Sequence, residues 1–145
     1  MFRLVYVSSA IAPFSQTELL DLLAKARAKN QRLDVTGMLL YKDGNFMQVL
    51  EGEETVVREL FTCIERDPRH FGTIVLLEEI VLEEEDSHEQ RAFPDWSMGF
   101  RSFADPDIKN FPGVNQFMNV AFNDDRYVKN PSACWDLLNL FRNTR

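Results

Sequence analysis

The spacing of apolar positions divides the chain into short, regular segments. Phe2 to Ser8 (FRLVYVS) is rich in β-branched and aromatic residues and predicts a strand. Ser15-Gln16-Thr17-Glu18 has the form of a capping box, with Ser15 as N-cap and Glu18 three residues on. Behind it Leu19, Leu22, Leu23 and Ala26 recur at helical spacing, with Lys25, Arg27 and Lys29 among the polar positions. This helix is expected to end near Asn30. Val35 to Tyr41 (VTGMLLY) and Phe46 to Glu51 (FMQVLE) predict two strands joined by the tight turn Lys42-Asp43-Gly44-Asn45, since Gly accepts positive φ. Gly52 breaks the second of them. Val56, Val57, Leu60, Phe61 and Ile64 mark a second amphipathic helix, stopped by Pro68. Thr73 to Leu82 predicts a fourth strand, and the run Glu83-Glu84-Glu85-Asp86 a solvated turn. A fifth strand is expected around WSMGF, between Phe93 and Phe103, and a last helix near Ser132 to Phe141.

The order is β-α-β-β-α-β-β and then helical. Its first six elements follow the split βαβ, or ferredoxin-like, plan. The expected architecture is therefore α+β. Two helices cover one face of a five-stranded mixed sheet, and a C-terminal helical extension covers the other.

Composition narrows the function. A length of 145 residues fits one domain and leaves no room for a second, catalytic one. A hydrophobic fraction of 45% with 27% charged residues is that of an ordinary globular protein. The net charge of −7 argues against grip on nucleic acid or anionic lipid, which needs clustered Lys and Arg. No apolar run approaches the roughly 20 residues of a membrane span. The N-terminus reads as a strand rather than a signal peptide. Cys63 and Cys134 are too few for a disulfide framework and fit a reducing, cytoplasmic setting.

The chemistry is sparse. There is no Gly-rich phosphate loop, no Cys pair at metal spacing and no H-E-x-x-H; His70 and His88 are far apart. The expectation is no metal and no enzymatic turnover. Four other features stand out. Gln48 lies inside the apolar FMQVLE strand with up to four hydrogen-bonding valences to satisfy, either at a sheet edge or toward a buried polar ligand. Tyr6 shares a strand face with Leu4, either as plain core or with its hydroxyl put to use. Asn30 either caps its helix or faces the sheet. Arg69 and His70 follow the second helix, where a surface Arg is the ordinary reading and an anion ligand the alternative. Together they describe a pocket suited to a neutral heteroaromatic ring with carbonyl and N–H edges.

Five blocks extend this picture: RLVYVS, KNQRLDVTGMLLY, DGNFMQVLEG, DPRH and RAFPDWSMGF. In sequence and order they resemble the BLUF family of flavin-binding blue-light sensor domains, and they cover about residues 1–103. The resemblance implies a flavin between the two helices with its ring edge toward the sheet. FAD is the first expectation, with FMN or riboflavin as alternatives. Tyr6 matches the photoactive tyrosine. Gln48 matches the glutamine that bonds both that tyrosine and the flavin. Asn30 matches the asparagine at the polar edge of the ring. Asp67, Arg69 and His70 lie where relatives contact the ribityl-phosphate end. Trp96 and Met98 match fifth-strand residues proposed to move with the signal.

The resemblance also implies the photochemistry. Tyr6 gives an electron and then a proton to the light-excited flavin, with Gln48 as relay, and the pair recombines. The hydrogen bonds around Gln48 then rearrange, and the absorption shifts slightly red. Residues 1–103 form the flavin-binding core, and residues 104–145 an extension within the same compact unit. With no cyclase domain expected after residue 145, the output is expected to pass through a partner protein or through self-association as a homo-oligomer. Two other readings stay open on the same fold: a small flavin-dependent reductase, and a light-independent binding module.

Overall fold

The computed structural model describes residues 1–81, 91–93, 99–102, 137–138 and 140–141. The elements are β1 (Phe2–Ala10), α1 (Gln16–Leu33), β2 (Thr36–Lys42), β3 (Asn45–Gly52), α2 (Glu54–Glu65), β4 (His70–Ile80) and β5 (Gly99–Ser102). Trp96, Met98, the Glu83–Asp86 run and nearly all of 104–145 lie outside the described residues.

The strands line up in the order β4-β1-β3-β2-β5. β1 pairs antiparallel with β3 and β4, and β2 with β3. β5 runs parallel to β2, with Met38 opposite Gly99. The 4-1-3-2 order of the first four strands, with two helical crossovers, is the ferredoxin-like arrangement expected from the sequence.

Side-chain alternation along the central strands separates two apolar layers. Phe2, Leu4, Tyr6, Leu39, Tyr41, Phe46 and Leu50 face the helices and meet Leu19 and Leu23 of α1 and Val57 and Leu60 of α2. Val5, Met38, Leu40, Met47 and Val49 face the other way and meet Phe93 and Leu138. Leu137 and Phe141, helical in conformation, pack against the same second layer. Both faces of β1, β2 and β3 are thus covered, and their sequences accordingly read as nearly unbroken apolar runs.

The hairpin between β2 and β3 turns through Asp43 (φ 51°) and Gly44 (φ 80°). Positive φ at both central positions matches the right-handed twist of the strands, which explains the Asp-Gly pair. Three boundaries differ from the sequence expectation. First, α1 does not stop at Asn30 but runs to Leu33. Asp34 closes it in the left-handed region (φ 54°), donating its N–H to the carbonyls of Asn30 and Gln31. A short polar side chain tolerates that conformation, so Asp34 takes the capping role expected of Asn30.

Second, β4 begins at His70 rather than Thr73 and ends at Ile80 rather than Leu82. Gly72, with φ 66°, lies within the strand at a shift in register between Val7 and Ser9. It is a bulge glycine rather than a breaker. The ladder resumes beyond it with Ser9 opposite Phe71 and Ala10 opposite His70. Third, β5 falls at Gly99–Ser102, the far end of the stretch around WSMGF.

Candidate functional site

A cleft opens on the helical side of the sheet. Its floor comes from alternate residues of the central strands: Tyr6 and Ser8 of β1, Leu39 of β2, Phe46 and Gln48 of β3. Leu22 and Ala26 of α1 form one wall, and Ile64 of α2 the opposite one. Phe14, Asp67, Arg69 and His70 surround the mouth, and the space measures about 540 Å³ counted out to the open rim.

The polar end is inside. Tyr6 and Gln48 face each other across the β1–β3 ladder. The Tyr6 hydroxyl donates to Gln48 Oε1 at 2.5 Å, with the two residues 3% and 5% exposed. Gln48 is therefore neither at a sheet edge nor in solvent. The phenol ring of Tyr6 is held by Phe61 of α2 at 5.2 Å between centroids. Burial pushes the Tyr6 phenol well above its ordinary pKa, and the negative charge of Asp67 adds to the shift. The phenol is thus a neutral donor across the physiological range. Ser8 Oγ, also buried on the floor, has no hydrogen-bond partner among the described residues.

The charged end is at the mouth. Asp67 and Arg69 form a tight pair, with Arg69 Nη2 to Asp67 Oδ2 at 2.6 Å and the Arg69 backbone N–H on Asp67 Oδ1 at 2.9 Å. Hydrogen bonding from Arg69 holds the Asp67 carboxyl below its usual range. Arg69 also lies over the Phe14 ring, 5.8 Å from its centroid. His70 Nε2–H donates to the carbonyl of Ile64 at 2.6 Å, which ties the start of β4 to the end of α2. Phe14 is held by its backbone N–H on Tyr41 Oη at 3.1 Å and by the Phe46 ring, edge-on at 5.2 Å.

The cleft brings together Tyr6, Gln48, Asp67, Arg69 and His70 of the residues singled out from the sequence. Asn30 is not among its lining residues. It is buried at 2% exposure in the last turn of α1, and its carbonyl also accepts the Val35 N–H at 2.9 Å. Of the apolar walls, Leu22 and Ile64 are read from the sequence only as apolar helix positions. Leu22 and Ala26 lie on the same helical stripe as the core residues Leu19 and Leu23, and only the breadth of that stripe hints at a second duty. Among the described residues no cluster of three His, Cys, Asp or Glu side chains could hold a metal ion.

The lining tests the fit of a flavin directly. Apolar side chains on both walls and a phenol–amide pair at the inner end suit a flat ring system with a polar edge. A basic side chain at the rim suits a polar or phosphorylated tail, and the orphaned Ser8 hydroxyl leaves one floor valence for a ligand or a rearranged neighbour. The residues present fit the group.

Fold and cleft describe an α+β module whose lining fits a flavin, and comparison with known proteins gives the family. The family model described as BLUF, sensors of blue-light using FAD, matches residues 1–99. The chain belongs to the BLUF family. It is 37% identical over 73 residues to photoactivated adenylate cyclase subunit beta of Euglena longa, matching half of this chain and 8% of that protein. It is 39% identical over 57 residues to the blue light- and temperature-regulated antirepressor BluF of Escherichia coli, matching 39% of this chain and 14% of that protein. The chain thus spans a small part of the curated relatives it matches.

Among solved structures, it resembles the dark state of BlrB, a BLUF protein (TM-score 0.66, 28% identity, 97% of this chain and 92% of that one). It likewise resembles the photo-activated state of BlsA (TM-score 0.64, 28% identity, 99% and 96%). Members of the family are blue-light sensors that use flavin. Among the described residues no helix is long and apolar enough to cross a membrane.

Proposed function

We propose that the chain is a blue-light photoreceptor in which Tyr6 and Gln48 form the switch. The observation that carries this reading is the buried hydrogen bond from Tyr6 Oη to Gln48 Oε1 at the inner end of the cleft. A bound flavin, FAD in the first instance, supplies the absorption of blue light and an excited state that accepts an electron and a proton. Tyr6 is the donor of both and takes both back when the pair recombines, so the lasting change lies in the hydrogen bonds and not in an oxidation state. Its phenol is neutral in the dark, and its proton already points along a short hydrogen bond into the Gln48 amide.

An amide has an acceptor end and a donor end, so Gln48 has two distinct ways to fill the same space. In the dark Oε1 faces Tyr6. Turned over or tautomerised, the side chain presents a donor where an acceptor stood, and every neighbour in the low-dielectric pocket responds. The change outlasts the light because Gln48 is enclosed and must break buried hydrogen bonds to return. Asn30, which does not line the cleft itself, is assigned to the polar edge of the ligand by its match to the family asparagine. Asp67, Arg69 and His70 hold its tail at the mouth, and Trp96 and Met98, just ahead of β5, move with the signal. The output passes to a partner protein or to the association of chains, with residues 104–145 as an extension of the 1–103 core.

Two substitutions test the switch. Gln48→Leu is expected to keep its flavin and lose the light-induced red shift, because the reversible amide is gone. Tyr6→Phe is expected to do the same, because the transferable proton is gone. A red shift of ordinary size in the flavin-loaded Gln48→Leu protein would contradict the proposal.

A further inference from the structure

The face of the sheet away from the cleft carries a buried polar cluster centred on Glu51. Glu51 is three residues from Gln48 on β3 and points to the opposite side, fully buried at 0% exposure. A charged side chain at such a position needs strong partners. Its cross-strand neighbours are Arg3 on β1 and Thr36 on β2. Arg3 Nε donates to Oε2 at 3.1 Å, and Thr36 Oγ1 donates to Oε1 at 3.4 Å.

Two further donors come from far along the chain. The backbone N–H of Ala92 reaches Oε2 at 2.9 Å, and that of Phe93 reaches Oε1 at 2.7 Å. One carboxylate therefore grips the backbone of the segment that leads into β5. Arg91 closes the cluster from the other side. Its Nη1 donates to the Asp34 carbonyl at 2.9 Å and to Thr36 Oγ1 at 3.2 Å, and its Nη2 to Asp34 Oδ2 at 3.3 Å. Asp34 is the left-handed cap of α1. Gly52 sits where a Cβ would stand 3.2 Å from the same Asp34 carbonyl, so its bare backbone admits this approach.

A residue of plain structural use at this point would more simply be apolar, as Val49 and Met47 are on the same face. We propose that Glu51 is a positioning residue for the output. It couples the strand that carries Gln48 to residues 91–93, so that a change at Gln48 is read on the far face as a loosening of the Ala92 and Phe93 amides. The coupling element has two states, those N–H groups held by Glu51 or released from it. This inference rests on the photoreceptor reading above.

The test is hydrogen exchange on the flavin-loaded full chain, dark and under blue light, read in a peptide covering residues 91–93 alongside the absorption spectrum. The wild type is expected to shift red and to exchange about tenfold faster in this peptide under light, the effect of releasing charge-assisted hydrogen bonds. Glu51→Gln replaces one acceptor oxygen with an N–H₂ group facing donors. It is expected to keep the red shift, to exchange rapidly in the dark, and to lose the light–dark difference. Arg91→Gln, which leaves the carboxylate in place, is expected to reduce that difference and serves if Glu51→Gln does not fold. A wild type that shifts red with unchanged exchange at 91–93 would overturn the proposal. So would a light–dark difference that survives in folded Glu51→Gln. A wild type that binds flavin and does not shift would overturn the photoreceptor reading itself, and this coupling with it.

Discussion

Tyr6 and Gln48 were legible one residue at a time because each breaks a rule. A glutamine in the middle of FMQVLE must find hydrogen bonds in a core, and the structure supplies one from a tyrosine that had the same difficulty. Their pairing was not legible, since it depends on the β1–β3 register. Glu51 broke the same rule and was missed, because a charge near the end of a strand is easily taken for its exposed edge.

The burial of Tyr6 has a consequence for stability. In the unfolded chain a tyrosine loses its proton near pH 10. In the folded chain Tyr6 keeps its proton to a higher pH. Its contribution is therefore intact below about pH 10 and is lost as pH rises beyond, by up to about 1.4 kcal/mol per pH unit. Urea titrations between pH 8 and pH 11 should show this fall in the wild type and a shallower one in Tyr6→Phe. At the other end of the cleft, Arg69→Ala should weaken FMN or FAD about tenfold while leaving riboflavin unchanged, since a guanidinium recognises phosphate and not a sugar alcohol. Equilibrium dialysis with the three flavins measures this, and equal weakening of all three would remove Arg69 from the phosphate end.

The two helices divide their labour between core and cleft. On α1, Leu19 and Leu23 are buried in the core, while Leu22 and Ala26 turn toward the cleft. On α2, Val57 and Leu60 seat the helix, while Ile64 reaches the ligand side. Helical spacing predicted every one of these positions as apolar but could not say which apolar residue meets protein and which meets ligand. Leu60→Ala should therefore cost about 2–4 kcal/mol in urea unfolding, the cavity cost of a buried leucine. Ile64→Ala should cost less in the flavin-free protein and show itself instead in flavin affinity. Element ends were less legible than elements. Asp34 and Gly72 shift the ends expected near Asn30 and Thr73, because a left-handed residue ends a helix in one setting and bulges a strand in another.

For the whole molecule, the sheet is the divider. Its helical face holds the cleft, and its other face holds a second apolar layer and the Glu51 cluster. A signal that starts at Gln48 and leaves by the far face has only to cross the thickness of β3. The ferredoxin-like plan was readable from the order of periodic segments. The measurement that bears most directly on the account is the absorption spectrum of the purified, flavin-loaded protein in darkness and after a blue flash. The account predicts a flavin spectrum that shifts slightly red and relaxes back in the dark. A flavin spectrum unmoved by light, or protein that stays colourless when flavin is added, would contradict it.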